Sequence, residues 1–160
     1  RNPEAAILEE SLTSTNDYVK RVHRPSHIFA SLFFGLLNEK TGDLTYVNAG
    51  HEPPLVVDGR RLRRLKPTGP AVGLLSGVDF GVQRVRMRHG GLLVAYTDGV
   101  TEARDATGQF FGEDRLVSIV RRSSSSASGI LEEIERTVCG FTGSPQLSDD
   151  LTLLAVRRKN

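Results

Sequence analysis

The chain has 160 residues, with 21 lysines and arginines against 19 acids and a net charge of +2. That length suits one domain with a sizeable core, and that charge balance gives no electrostatic case for nucleic acid or an anionic membrane surface. A single cysteine, Cys139, excludes an internal disulfide or a thiolate metal cluster and suits a reducing cytoplasm, and no apolar run approaches the ~20 residues of a membrane span.

The chain opens at Arg1 without a methionine and shows no signal peptide, so a piece of a longer protein is expected. Asn2-Pro3-Glu4 reads as a helix start: a capping side chain, proline at the first helical position, then an acid. Leu8, Leu12, Thr15, Val19 and Val22 follow at helical spacing, predicting an amphipathic helix over residues 3–22. The run 29–37 is almost wholly apolar and predicts a buried central strand. Lys40-Thr41-Gly42-Asp43 turns the chain into a second strand, 44–49. Gly50, Pro53 and Pro54 then stop the ladder.

Leu55-Val56-Val57, the tight turn Asp58-Gly59 and residues 60–66 predict another hairpin. Its arginines, Arg60, Arg61, Arg63 and Arg64, with Lys66, read either as an anion-binding patch or as a solvated strand face. A Gly/Pro loop covers 66–77, and a half-wet strand covers 80–88, where Val85 and Met87 alternate with Arg84, Arg86 and Arg88. After His89-Gly90 comes the apolar run Leu92–Tyr96, predicted as a strand covered on both faces. Residues 99–111 read as a loop carrying Glu102, Asp105 and Gly108. Glu113-Asp114 open a short helix with Leu116, Val117 and Val120 inward. Ser123–Ser126 reads as a flexible linker. Ile130, Leu131, Ile134 and Val138 mark a second amphipathic helix, where Cys139 reads as a small core residue. A last strand spans 150–157. Strands grouped between helices predict an α+β domain with antiparallel sheet.

Two strand ends carry the chemistry. Tyr96-Thr97-Asp98-Gly99 closes one buried strand on a carboxylate, with a glycine that lets the backbone turn away. By itself this is also how an ordinary strand stops at an Asp-Gly turn. Ser148-Asp149-Asp150 opens the last strand with two carboxylates. If those strands are antiparallel neighbours, Asp98 and Asp149 meet across one rim. Two carboxylates placed that close call for a cation between them, and a divalent metal supplies it.

Five segments then occur in order: Phe29–Gly35, Tyr46–Leu55 with Asn48-Ala49-Gly50-His51, Tyr96–Ala103, Phe111–Leu116 and Ser148–Leu153. From about residue 28 to its end the chain resembles the PPM (type 2C) metal-dependent Ser/Thr protein phosphatases, in their bacterial SpoIIE-type branch. The resemblance implies a four-layer α-β-β-α sandwich of two antiparallel sheets flanked by helices. It also implies a two-metal site, Mn²⁺ or Mg²⁺, in which Asp98 and Asp149 are metal ligands. Asp150 would stand behind them, and Glu102 falls where some relatives bind a weak extra metal. His51 stands where eukaryotic relatives carry an acid, so no ligand role is carried over to it.

No protein side chain would act as nucleophile, because a water activated by the two metals attacks phosphorus in line. That agrees with a chain that has no Cys–His pair and no serine on a nucleophile elbow. The implied substrate is a phosphorylated protein, for SpoIIE-type relatives a serine-phosphorylated anti-sigma-factor antagonist in a sigma-factor or stress-signalling pathway. The intact protein is a candidate homodimer. The family begins with a strand pair bearing an Asp-Gly whose carboxylate bridges both metals, and no such pair precedes Phe29. Residues 1–160 are therefore expected to be a single SpoIIE-type domain lacking its N-terminal metal-binding segment, with little activity alone. Two other classes stay open: a catalytically inactive, phosphatase-like regulatory or docking module, and an unrelated α+β binding domain. The second requires Asp98 and Asp149 to lie far apart.

Overall fold

The computed structural model describes residues 3–22, 28–123, 126–143 and 150–159. The chain divides into two compact units, one of residues 1–53 and 65–87, the other of 54–64 and 88–160. Each contains one antiparallel sheet with helix, giving the expected α+β class. Among the described residues no helix is long and apolar enough to cross a membrane.

The first unit starts with α1 (Pro3–Val22). Leu8, Leu12 and Asn16 recur every four positions, so they share the face that is buried. The two leucines enter a core with Val47, Ala49, Val72 and Phe80. Asn16 is a polar residue on that face and is bonded at both ends of its amide. Its Nδ2 donates to the Leu75 carbonyl at 3.0 Å and its Oδ1 accepts from the Gly73 N–H at 2.8 Å, tying the 73–75 loop to the helix.

Strands β1 (Leu32–Leu37), β2 (Asp43–Ala49) and β5 (Gln83–Arg86) follow in the order β1-β2-β5. This corrects one expectation. The apolar run 29–37 is not a central strand: it enters the ladder at Leu32 and lies at the sheet's edge, with no residue fully buried. The central position belongs to β2, where Leu44 to Ala49 are all buried. The strand predicted over 80–88 is also shorter: Gln83–Arg86 pair with Tyr46–Asp43 of β2, and Arg84 forms an ion pair with Asp43 across that ladder.

The Asn48-Ala49-Gly50-His51 motif locks the end of β2. Asn48 is completely buried; its Nδ2 donates to the Leu65 carbonyl at 2.9 Å and its Oδ1 accepts from the His51 N–H at 2.8 Å. Gly50 sits at φ +70°, and a Cβ there would meet the Ala71 nitrogen at 2.9 Å, so glycine is required twice over. Asn48→Ala strands a buried carbonyl and a partly buried N–H together. It is expected to lower unfolding free energy by about 2–3 kcal/mol, read as a lower urea midpoint at unchanged slope.

The second unit has sheet order β4-β3-β6-β7, with β3 (Leu55–Asp58), β4 (Arg61–Arg64), β6 (Leu92–Tyr96) and β7 (Leu153–Arg157). All five residues of β6 are buried, as a strand flanked on both sides by partners should be. The arginine run on β4 is a solvated strand tied into its own unit: Arg63 pairs with Asp58, and Arg64 reaches Glu113 at 2.5 Å. Helices α3 (Glu113–Arg122) and α4 (Ala127–Thr142) bury Leu116, Ile119, Val120, Ile130, Ile134 and Val138 in a core with β3 and β6. Ser126 is more than linker. Its hydroxyl accepts from the Gly129 N–H and caps α4, while Gly143 closes that helix in the left-handed conformation.

Candidate metal-binding site

The antiparallel pairing on which the carboxylate argument depended is present. Strand β6 pairs with β7, with Tyr96 opposite Leu153. The end of the first apolar run therefore lies beside the start of the last strand.

Thr97 continues the pairing by one residue with its side chain. Its backbone N–H donates to the Thr152 carbonyl at 3.1 Å. Its hydroxyl donates to the Asp150 carbonyl and accepts from the Thr152 N–H, both at 3.1 Å. The residues leading into β7 are thus held to the end of β6 by three bonds to one threonine.

Asp98 opens a one-turn helix, α2 (Asp98–Thr101), where a loop had been expected. Four residues are too few to leave a periodic signal. The Asp98 side chain is exposed, its Oδ1 accepts from the Gly99 N–H at 3.0 Å, and it forms no ion pair among the described residues. The carboxylate keeps most of its acceptor capacity and faces solvent without a competing arginine.

Gly99 is needed for a different reason from the one its sequence suggests. Its φ is ordinary, so the glycine is not there to reverse the chain. A Cβ at this position would stand 2.5 Å from the Asp150 carbonyl oxygen and 3.1 Å from its carbon. The absence of a side chain lets the Asp98 turn and the start of β7 approach backbone to backbone.

Glu102 follows at the end of the turn, exposed, with its N–H bonded to the Asp98 carbonyl at 2.7 Å. That i to i+4 bond puts the two side chains on the same side of the turn, with Cβ atoms roughly 5–6 Å apart. Asp150 is exposed and its carbonyl lies against Gly99. Asp149 lies outside the described residues. Among the described residues no group of three or more His, Cys, Asp and Glu side chains converges as a metal cluster. The side-chain donors of this turn, Asp98 and Glu102, are oxygens, the donor class that Mg²⁺ and Mn²⁺ take.

Beyond α2 the chain forms a hairpin. The Gly112 N–H bonds the Thr101 carbonyl and the Phe111 N–H the Ala103 carbonyl, at 2.9 and 2.8 Å. Its tip is wound around Asp105, which accepts from the Thr107 N–H, the Thr107 hydroxyl and the Gln109 N–H. These bonds, the Thr107 hydroxyl first, hold the Asp105 carboxyl below the usual range.

Comparison with known proteins identifies the family and the fold. The profile of the stage II sporulation protein E (SpoIIE) family matches residues 2–159. Protein IcfG of Synechocystis sp. is 39% identical over 145 residues, covering 90% of this chain and 23% of that protein. Phosphoserine phosphatase RsbU of Bacillus subtilis is 26% identical over 159 residues, covering 98% of this chain and 47% of its own length. The chain therefore spans less than half of either relative. Among solved structures, the SiaA PP2C domain of Pseudomonas aeruginosa superposes with a TM-score of 0.79 at 18% identity, over 96% of this chain and 65% of that one. The catalytic domain of the serine/threonine protein phosphatase PstP, solved with two manganese ions, gives 0.73 at 10% identity, over 100% of this chain and 74% of that one. At those identities the likeness is one of fold, and the fold is that of PP2C phosphatases. Taken with the match over residues 2–159, it follows that this chain belongs to the stage II sporulation protein E (SpoIIE) family, with a PP2C-type phosphatase domain fold.

Proposed function

We propose that the chain is the larger part of a metal-dependent protein serine/threonine phosphatase domain, hydrolysing a phosphoserine or phosphothreonine monoester. The observation that carries this reading is the convergence of Asp98 with the start of β7. Thr97 binds the Asp150 carbonyl, and Gly99 leaves room for it. The RsbU relative is a phosphoserine phosphatase by name, and PstP was solved with two manganese ions.

In this reading Asp98 and Asp149 hold a divalent ion, Mn²⁺ or Mg²⁺, in a pair shared with the rest of the intact domain. Asp150 braces the site and Glu102 serves a weaker extra ion. The ions would supply charge neutralisation and a water acidic enough to attack phosphorus. The chain's own residues supply position. The β6 core fixes the base of Asp98, the Thr97 bonds fix the β7 side, and the exposed rim leaves the carboxylates open to an incoming phosphate. A phosphate monoester dianion repels anionic nucleophiles, so such a rim needs bound cations before it can accept substrate. The proposed substrate is a serine-phosphorylated anti-sigma-factor antagonist, met in the cytoplasm within a stress-signalling pathway and acted on by a homodimeric parent protein.

Mn²⁺-dependent hydrolysis of p-nitrophenyl phosphate by the intact protein tests the reading. Absence of both turnover and calorimetric Mn²⁺ binding would favour an inactive docking module instead. The 160-residue chain by itself is expected to be silent in the same assay, because one or two carboxylates leave most of the roughly six coordination positions of such an ion to water. Turnover by this chain that disappears in Asp98→Asn would contradict that expectation.

A further inference from the structure

We propose that Arg104 is a substrate-docking residue that pairs with an acidic side chain flanking the phosphorylated residue of a protein substrate. The inference rests on the phosphatase reading and adds a recognition element outside the carboxylate rim.

Arg104 and Phe110 face each other across the hairpin that follows α2. The guanidinium carbon of Arg104 stands 4.1 Å from the centroid of the Phe110 ring, and its Nη1 donates to the Gly108 carbonyl at 3.3 Å. Both residues are exposed, Phe110 at 46%. An exposed arginine ordinarily samples many rotamers, and fixing it on binding costs up to about 2 kcal/mol of entropy. Here the stack and the carbonyl bond have already set its plane. One of its five N–H groups is used, and it pairs with no carboxylate among the described residues. What remains is a planar, charged fork of donors, the shape that takes a carboxylate in two parallel bonds.

The platform beneath it is stiff. Arg115 donates from Nη1 to the Phe110 and Phe111 carbonyls at 3.1 and 2.6 Å and stacks on Phe141 at 4.7 Å. Phe111 is buried and meets Phe141 edge to face at 5.4 Å. Asp105 is the acid nearest in sequence, and its Oδ1 accepts from Thr107 and Gln109 at the hairpin tip, with no ion pair to Arg104 among the described residues. So Asp105 is bonded within the hairpin tip, and Arg104 is exposed.

Its place relative to Asp98 sets what it can reach. One helical turn and two extended residues separate the two positions, so their Cα atoms lie no more than about 13 Å apart. That is the span of about four residues of an extended peptide. A phosphoserine held at the Asp98 rim would put a neighbouring acidic side chain within reach of Arg104.

The test uses the intact protein and three probes: a phosphoserine peptide with two aspartates on each side, the same peptide with asparagines in their place, and p-nitrophenyl phosphate. The wild type is expected to prefer the acidic peptide by about tenfold in kcat/KM, chiefly through KM. Arg104→Ala should abolish that preference while p-nitrophenyl phosphate turnover changes less than about twofold. Arg104→Lys, which keeps the charge and loses the fork, should retain part of it. An undiminished preference in Arg104→Ala overturns the proposal, as does a parallel loss on all three probes. If the wild type hydrolyses none of the probes, the phosphatase reading fails. The docking claim is then decided by anisotropy of the fluorescein-labelled acidic peptide: about tenfold weaker binding by Arg104→Ala supports it, and equal binding overturns it.

Discussion

Asp98→Asn in the intact protein is expected to lower Mn²⁺-dependent p-nitrophenyl phosphate turnover by about a hundredfold or more, a barrier increase of at least about 2.7 kcal/mol. The same substitution should leave the unfolding free energy within about 0.5 kcal/mol of the wild type. The two halves of this expectation have one cause. The Asp98 side chain is exposed, lacks a cationic partner among the described residues, and makes one local bond, from the Gly99 N–H to Oδ1. Asparagine keeps an oxygen for that bond and loses only the charge. A carboxylate whose work was only to cap the α2 turn would give a different pattern: asparagine caps as well as aspartate, so both stability and turnover would stay near wild type. Activity assays and urea denaturation of the same preparation separate the two. Wild-type turnover in Asp98→Asn would remove the carboxylate from the mechanism.

Much of this arrangement is legible in the sequence, and the reasons differ by residue. The β6–β7 pairing enters the sequence reading only as a condition, because two apolar runs bounded by acids do not say that they pair; given the pairing, antiparallel geometry links the end of one to the start of the other. Helix α1 was legible from Pro3 and the spacing of Leu8 and Leu12. Strand β1 was misread because apolarity reports what a residue tolerates, and its position at a sheet edge depends on which strands pair with it. Helix α2 was missed because a single turn has no period. Ser126 was read as linker although a serine just before a helical run is a capping signal. The role of Gly99 had no local signature at all. It depends on Asp150, some fifty positions away, and an Asp-Gly pair looks the same whether the glycine serves a turn or a close approach.

That distinction gives the second large effect. Gly99→Ala is expected to destabilise the intact protein by about 1–3 kcal/mol and to weaken Mn²⁺ binding by about tenfold or more, because the new methyl meets backbone. The nearest atoms are the Asp150 carbonyl oxygen and carbon and then the Leu151 nitrogen, at 2.5, 3.1 and 3.5 Å. No side-chain rotation relieves such a contact, so the start of β7 must move away from Asp98. If the glycine served only to turn the chain, alanine at its ordinary φ would be harmless or mildly stabilising. Thr97→Val approaches the same contact from the other side: it conserves shape and removes the hydroxyl that bonds the Asp150 carbonyl and the Thr152 N–H. Its expected cost is about 1–3 kcal/mol, with Thr97→Ser close to wild type. Since both changes release the same segment, the double variant should lose less than the sum of the singles. Urea denaturation and Mn²⁺ calorimetry on the four proteins measure this directly. Full additivity, or unchanged metal affinity in Gly99→Ala, would mean that the close approach of the two strand ends does not set the distance across the proposed metal site.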